Sequence, residues 1–233
     1  VLVVSSQIRY MSSKDMGFKK DAILNIYIPG SFQNSEKGIL LRNELKRLPE
    51  VKLVSFGNIA PAMNGFMTNT LNLDLGEESQ ELTFDSRTGD ENYIDLYKIP
   101  LIKGRNIHLL DSTNEVLVNE KALEFMRIKN PEDALGRTFN NGQLTIVGVI
   151  KDFDISSARQ HIRPLIYIGK KDGYVLHIAM ANEDPATWTK AMEKIGLSFK
   201  AVFPNDEMDI RFVDKEIEKM YTKDLQLSKL LSW

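Results

Sequence analysis

The sequence predicts an α+β fold: a split βαβ, ferredoxin-like subdomain assembled from both ends of the chain, with a β-rich subdomain inserted in its middle. Three observations carry that reading. Residues 23–58 run strand, helix, strand, and residues 175–213 repeat the order. The repeat extends to detail, since Leu48-Pro49-Glu50 precedes VKLVSF as Phe203-Pro204-Asn205 precedes MDIRFV. Residues 59–165 instead alternate short apolar runs with turn residues. This assigns 1–58 and 166–233 to one subdomain and 59–165 to the other.

Residues 1–16 carry Val4, Ile8 and Met11 at helical spacing, with Gly17 as a C-terminal stop. Ile23–Ile28 alternates as a strand and ends at Pro29-Gly30. A helix from about Ser35 puts Leu41, Leu45 and Leu48 on one face and is closed by Pro49; Val51–Phe56 is the next strand. In the middle, Leu71–Leu75, Leu82–Phe84 and Val116–Val118 read as strands. Asn119 is placed to cap a helix running to about Ile128, and Asn130-Pro131 opens a further turn ending at Gly136. Asn141-Gly142 is a hairpin-turn pair. It feeds Leu144–Ile150, an apolar run expected to be a buried strand, in which Val147→Asp would unfold the domain.

The second unit opens with the strand Val175–Met180. Asp184-Pro185 begins a helix with Trp188, Met192, Ile195, Phe199 and Val202 in a stripe, and Met208–Val213 is the last strand. A helix from about Asp214, with Ile217, Met220, Tyr221 and Leu225 on one face, is expected to run beside residues 1–16.

With 233 residues, 42% hydrophobic and 27% charged, the chain can bury a sizeable core. Thirty basic and 32 acidic side chains leave a net charge of −2, which argues against a nucleic-acid partner. No apolar run approaches the roughly 20 residues that span a bilayer. The absence of cysteine excludes disulfides, thiolate nucleophiles and cysteine metal sites. Val1–Val4 and Leu230–Trp233 are apolar stretches, expected to be the ends of two flanking transmembrane helices.

The motifs for a phosphate-binding loop and for a serine nucleophile elbow are missing, and His108, His161 and His177 stand apart from one another. His177, in mid-strand, is expected to face outward or to be satisfied locally. Asp152 and Asp154 in Lys151-Asp152-Phe153-Asp154 could hold a divalent cation or serve a hydrolase. The favoured reading is that both bind backbone N–H groups in the turn leaving the strand. No catalytic, metal or cofactor site is expected. Met63, Phe66 and Met67, on a loop with Pro61 and Gly65, are the candidate partner surface, with burial under the neighbouring subdomain the competing reading.

Several segments, taken in order, resemble the MacB-like periplasmic core domain of FtsX-family ABC transporter permeases. They are Tyr93–Arg105 (YIDLYKIPLIKGR), Val116–Glu120 (VLVNE), Ala134–Arg137 (ALGR) and Thr145–Phe153 (TIVGVIKDF), with Pro164-Leu165 and Met220-Tyr221 in keeping. The resemblance implies a porter-like α/β subdomain carrying a β-rich insert, held on the periplasmic side of the cell inner membrane between two transmembrane helices. It also implies a non-catalytic role, coupling motion driven by a cytoplasmic ATP-binding subunit to export or signalling. The expected partners are that ATPase, a second permease and a periplasmic protein. The alternative is the ligand-sensing domain of a bacterial receptor, which would enclose a polar-lined pocket.

Overall fold

The computed structural model describes residues 16–30, 35–63, 67–109, 114–154, 161–182 and 188–219. The expected helix over 1–16, except for Met16, together with the Asp184-Pro185 cap and the face of Met220, Tyr221 and Leu225, lies outside them.

The fold is mixed α+β and mostly strand. The strands are β1 (Ile23–Tyr27), β2 (Val51–Gly57), β3 (Thr68–Leu75), β4 (Glu78–Gly89), β5 (Leu101–Gly104), β6 (Glu115–Asn119), β7 (Thr138–Phe139), β8 (Leu144–Ile150), β9 (Leu165–Gly169), β10 (Val175–Met180) and β11 (Asp209–Phe212). The helices are α1 (Ser35–Leu45), α2 (Tyr93–Leu96), α3 (Glu120–Phe125) and α4 (Trp188–Val202), with a 3₁₀ turn at Pro131–Ala134 and a helical stretch at 213–219.

The two strand–helix–strand segments share one sheet region, in the order β11-β1-β10-β2, with every neighbour antiparallel. Each segment interleaves its strands with the other's, so neither can bury its apolar face alone. On one face, Leu24, Ile26, Val54, Phe56, Leu176 and Ile178 pack beneath Leu41 and Leu45 of α1 and Ile195 and Phe199 of α4. Gly196 on α4 faces open space, so no packing contact requires a glycine there. The opposite face carries Ile23 and Ala179 into a second cluster with Tyr93, Tyr97, Met16, Val213 and Ile217. Being covered on both faces, β10 is buried at every position.

In the middle of the chain, β4, β3, β7, β8, β6 and β9 pair in succession, and β9 returns to β4, so these strands close on themselves. The run expected at Leu82–Phe84 is part of the twelve-residue β4. Its first part pairs with β3 and its last five residues with β9, and this second partner is what prolongs the strand. Leu71, Phe84, Val116, Phe139, Ile146 and Ile166 fill the interior. Asn119 caps α3 as expected, accepting from the Ala122 N–H at 3.0 Å, but the helix stops at Phe125 because Arg127 turns left-handed, at φ 59°. The β7–β8 hairpin closes over residues 140–143, with Asn140, Asn141 and Gly142 all at positive φ.

Strand β5 hangs from β8 outside the closed set, with all four of its residues exposed and a register slip between Leu101 and Lys103. Strand β8 corrects one expectation: Val147 is only half-buried, whereas Ile146 and Val149 are fully buried. A carboxylate at Ile146 has no escape to water and should cost several kcal/mol, on the order of the whole net stability. We expect Ile146→Asp to abolish the cooperative thermal transition and Val147→Asp to lower the midpoint while retaining it.

Candidate functional site

Strand alternation builds an unusual feature into the sheet. Asn25, His177 and Ser55 sit at the centres of β1, β10 and β2 and are register partners across the three strands. All are buried, on the face opposite α1 and α4. A buried polar row needs hydrogen-bond partners, and short connections supply them. The Tyr97 hydroxyl, at the end of α2, lies 2.8 Å from His177 Nδ1 and 3.5 Å from Asn25 Oδ1. If Tyr97 donates to Asn25, His177 Nδ1–H donates to Tyr97. The bare Nε2, which meets no donor, then points at Gly57 as an unprotonated nitrogen. The other tautomer would bury an N–H without an acceptor, so the Nδ1–H form is favoured. Burial pushes the His177 pKa down to about 3. His177 is therefore neither outward nor fully satisfied: it is a buried, neutral residue with one ring nitrogen engaged.

At the other end of the row, the Ser55 hydroxyl donates to Asp90 Oδ1 at 2.6 Å. The same carboxylate accepts the Asn92 and Phe56 N–H groups, each at 3.0 Å, and Arg42 Nη1 of α1 stands 3.5 Å away. Tyr93 donates to the Ile59 carbonyl at 2.6 Å and Tyr167 to the Asp90 carbonyl at 2.7 Å. Burial raises the pKa of Tyr93, Tyr97 and Tyr167, which keeps them as donors.

These residues surround a joint. The paired strands of the two chain ends meet the closed strands of the middle through β2 and β4, at the single pair Gly57↔Gly89. A Cβ on Gly57 would lie 2.6 Å from His177 Nε2, and one on Gly89 would lie 2.5 Å from the Tyr167 hydroxyl and 2.6 Å from the Phe56 carbonyl. Only glycine permits this approach. The Asn58 side chain, accepting from Ile59 and Thr88 N–H, fastens the next step.

The sites expected from sequence lie elsewhere. Asp152 Oδ1 accepts the Lys121 N–H at 3.0 Å, and Glu120 Oε2 accepts the Asp152 N–H at 3.1 Å. Asp152 thus binds backbone at the start of α3, not in its own turn, and its burial and the nearby Glu120 raise its pKa. Asp154 is buried, and its backbone bridges Met16 and Ala62. The two residues are held by different parts of the chain, and among the described residues no group of acidic and histidine side chains has the geometry of a metal site. Met63 is half-buried against the Tyr93 cluster, Met67 is 40% exposed with its sulfur 3.1 Å from Asn58 Nδ2, and Phe66 lies outside the described residues. Two grooves of about 410 and 390 Å³, beside Glu50 and Trp188 and beside Arg105 and Glu115, open to solvent. In the second, Arg105 pairs with both oxygens of Glu115 at 2.5 and 2.7 Å.

The whole arrangement aligns with the periplasmic region of MacB from Actinobacillus actinomycetemcomitans at a TM-score of 0.58, over 94% of this chain and 97% of that one. The chain has the MacB periplasmic-domain fold. At 15% sequence identity the likeness concerns the fold and transfers no residue roles. A domain assigned to a permease protein of Porphyromonas gingivalis aligns at a TM-score of 0.50 and 15% identity, over 83% of this chain and 90% of that one. The extracellular domain of the noncanonic ABC-type transporter YknZ from Gram-positive bacteria aligns at 0.49 and 13% identity, over 81% and 98%. No family model and no curated protein matches the chain. Among its described residues, no helix of this MacB-like fold is long and apolar enough to cross a membrane.

Two outcomes follow for the joint. Gly89→Ala forces a methyl against backbone and should destabilise by about 1–3 kcal/mol, more than Tyr93→Phe, which loses one hydrogen bond worth about 1 kcal/mol; denaturant melts rank them. His177 has a folded pKa below its unfolded one, so the unfolded chain binds the extra proton as pH falls. Its contribution is complete above about pH 6.5 and declines toward about pH 3, by roughly 1.4 kcal/mol per pH unit within that window. Denaturant titrations across that range should show a steeper decline for the wild type than for His177→Gln.

Proposed function

We propose that the chain is the extracytoplasmic domain of an ABC transporter permease, a non-catalytic module on the periplasmic side of the inner membrane. Through it, motion driven by a cytoplasmic ATPase reaches the substrate or a periplasmic partner, in export or in signalling. The observation that carries this reading is the likeness to the MacB periplasmic region over nearly the full length of both chains.

In this reading 1–58 and 166–233 form a porter-like, ferredoxin-like unit, and 59–165 form the insert. Strand β9 pairs with β4 and β6, so the insert is better extended through Gly169. The joint supports a mechanical role. Its single strand pair would hinge freely by itself, but Asp90, which accepts from Ser55 and Phe56 of β2, and Asn58, which accepts from Thr88 of β4, tie both sides together, so displacement of one side is carried to the other. Met16 and Ile217, near the two extremes of the described residues, belong to one apolar cluster, as expected if both ends return to one membrane face. Met63, Phe66 and Met67 are the proposed contact for a periplasmic partner, and a second permease completes the assembly.

These 233 residues contain no cysteine, so a thiol introduced here is read against the unsubstituted protein as its background. Leu197, 73% exposed on α4, is a suitable position. In the full-length protein, Leu197→Cys should react with a membrane-impermeant maleimide in spheroplasts before lysis. Labelling only after lysis would overturn the proposal.

A further inference from the structure

The β7–β8 hairpin carries chemistry unrelated to transport. Asn141-Gly142 is exposed at its tip, and Gly142 has open space around it. An asparagine followed by glycine is set up for self-reaction, because no side chain shields the glycine nitrogen from the asparagine carboxamide. The Asn141 carboxamide has no hydrogen-bond partner among the described residues. The glycine nitrogen is held in place: Gly142 N–H donates to Asp74 Oδ2 at 2.9 Å, and Asn141 N–H donates to Asp74 Oδ1 at 3.0 Å. The Thr138 hydroxyl also donates to Oδ2 at 2.6 Å, while the two backbone N–H groups by themselves span both carboxylate oxygens. Asn140 exchanges two further bonds with Asn72, which ties the turn to β3.

We propose that Asn141 is a site of spontaneous deamidation held in check by Asp74. Hydroxide removes the Gly142 amide proton, and the nitrogen attacks Asn141 Cγ. The new C–N bond closes a succinimide, the Cγ–Nδ2 bond breaks, and the amide leaves as ammonia with a proton from water. Water then opens the ring at either carbonyl, giving aspartate or isoaspartate, with no oxidant or reductant involved. Asp74 opposes the first step in two ways. It places a negative charge where the amide anion must form, and it engages the Gly142 N–H in a hydrogen bond that must break before the proton can leave. Either product puts a carboxylate beside Asp74, and isoaspartate also lengthens the backbone inside a turn whose bonds depend on its spacing. The modification therefore releases the hairpin from β3.

The test is incubation of the intact protein in mildly alkaline buffer, with the peptide spanning the hairpin quantified by mass spectrometry and released ammonia by assay. A synthetic peptide of the same sequence serves as the unclamped reference. The folded wild type should convert at Asn141 about tenfold more slowly than the peptide, the size of one hydrogen bond to an ionised acceptor. Asp74→Ala should recover most of that factor, and Asn141→Ser should abolish the conversion. Thr138→Val removes a partner of Asp74 but leaves the Gly142 contact, and should keep the wild-type rate. Equal rates in wild type and peptide, no conversion in Asp74→Ala, or equal acceleration by Thr138→Val would each overturn the proposal.

Discussion

A histidine buried between an asparagine and a serine, in the middle of three strands, is the constraint around which the molecule is organised. Ser55 reaches the Phe56 carbonyl at 3.0 Å, but the ladder engages most of the sheet backbone, so Asn25, His177 and Ser55 also need side-chain partners. Their needs bring Tyr97 and Asp90 to the sheet, and with these residues the connection that leaves β4. The turn of α2 lies over the sheet because it must deliver two aromatic hydroxyls and a carboxylate to fixed points. The position of β4 against β2 follows from that.

The architecture distributes its weak points accordingly. Long pairings such as β3 with β4 give each strand many ladder bonds, whereas β2 meets β4 at one pair. Rigidity there comes from side chains whose hydrogen bonds lie in a water-poor setting, where each is stronger than in solvent and each loss is costly. Alternating faces explain how one sheet serves both purposes. Leu24 and Ile26 of β1, Val54 and Phe56 of β2, and Leu176 and Ile178 of β10 give ordinary helix-on-sheet packing, and the opposite face holds the polar row.

Much of this was legible in the sequence, for physical reasons that differ by element. The paired strand–helix–strand segments were, because strand alternation and the Leu and Phe spacings of α1 and α4 report burial directly. The Asn119 cap was, because capping is local. Asp152 was legible only in kind: it binds backbone, but that of α3, which chain spacing does not reveal. The extent of β4 depended on a strand some eighty residues away. The joint was missed, although a signal was present. In ILNIY and VLHIAM the third residue, Asn25 and His177, breaks the apolar run, and aligning the two repeats would have put these two side by side; Ser55 of VKLVSFG joins them only through the pairing of β10 with β2. Tyr93 and Tyr97, one helical turn apart, were the partners to seek.

Strand β5 has a consequence for crowding. A domain of this kind, if concentrated beside a membrane, would risk joining its neighbours edge to edge, and β5 offers backbone at the margin of the closed strands together with the exposed side chains of Leu101 and Ile102. Its details oppose such growth. Pro100 lacks a donor, Ile102 is slipped out of register, Gly104 turns left-handed at φ 78°, and Lys103 is occupied by Glu132. An incoming strand would find too few consecutive donors and acceptors to seed a fibril. The chain thereby keeps an apolar pair at its surface on an edge that is a poor template for strand addition.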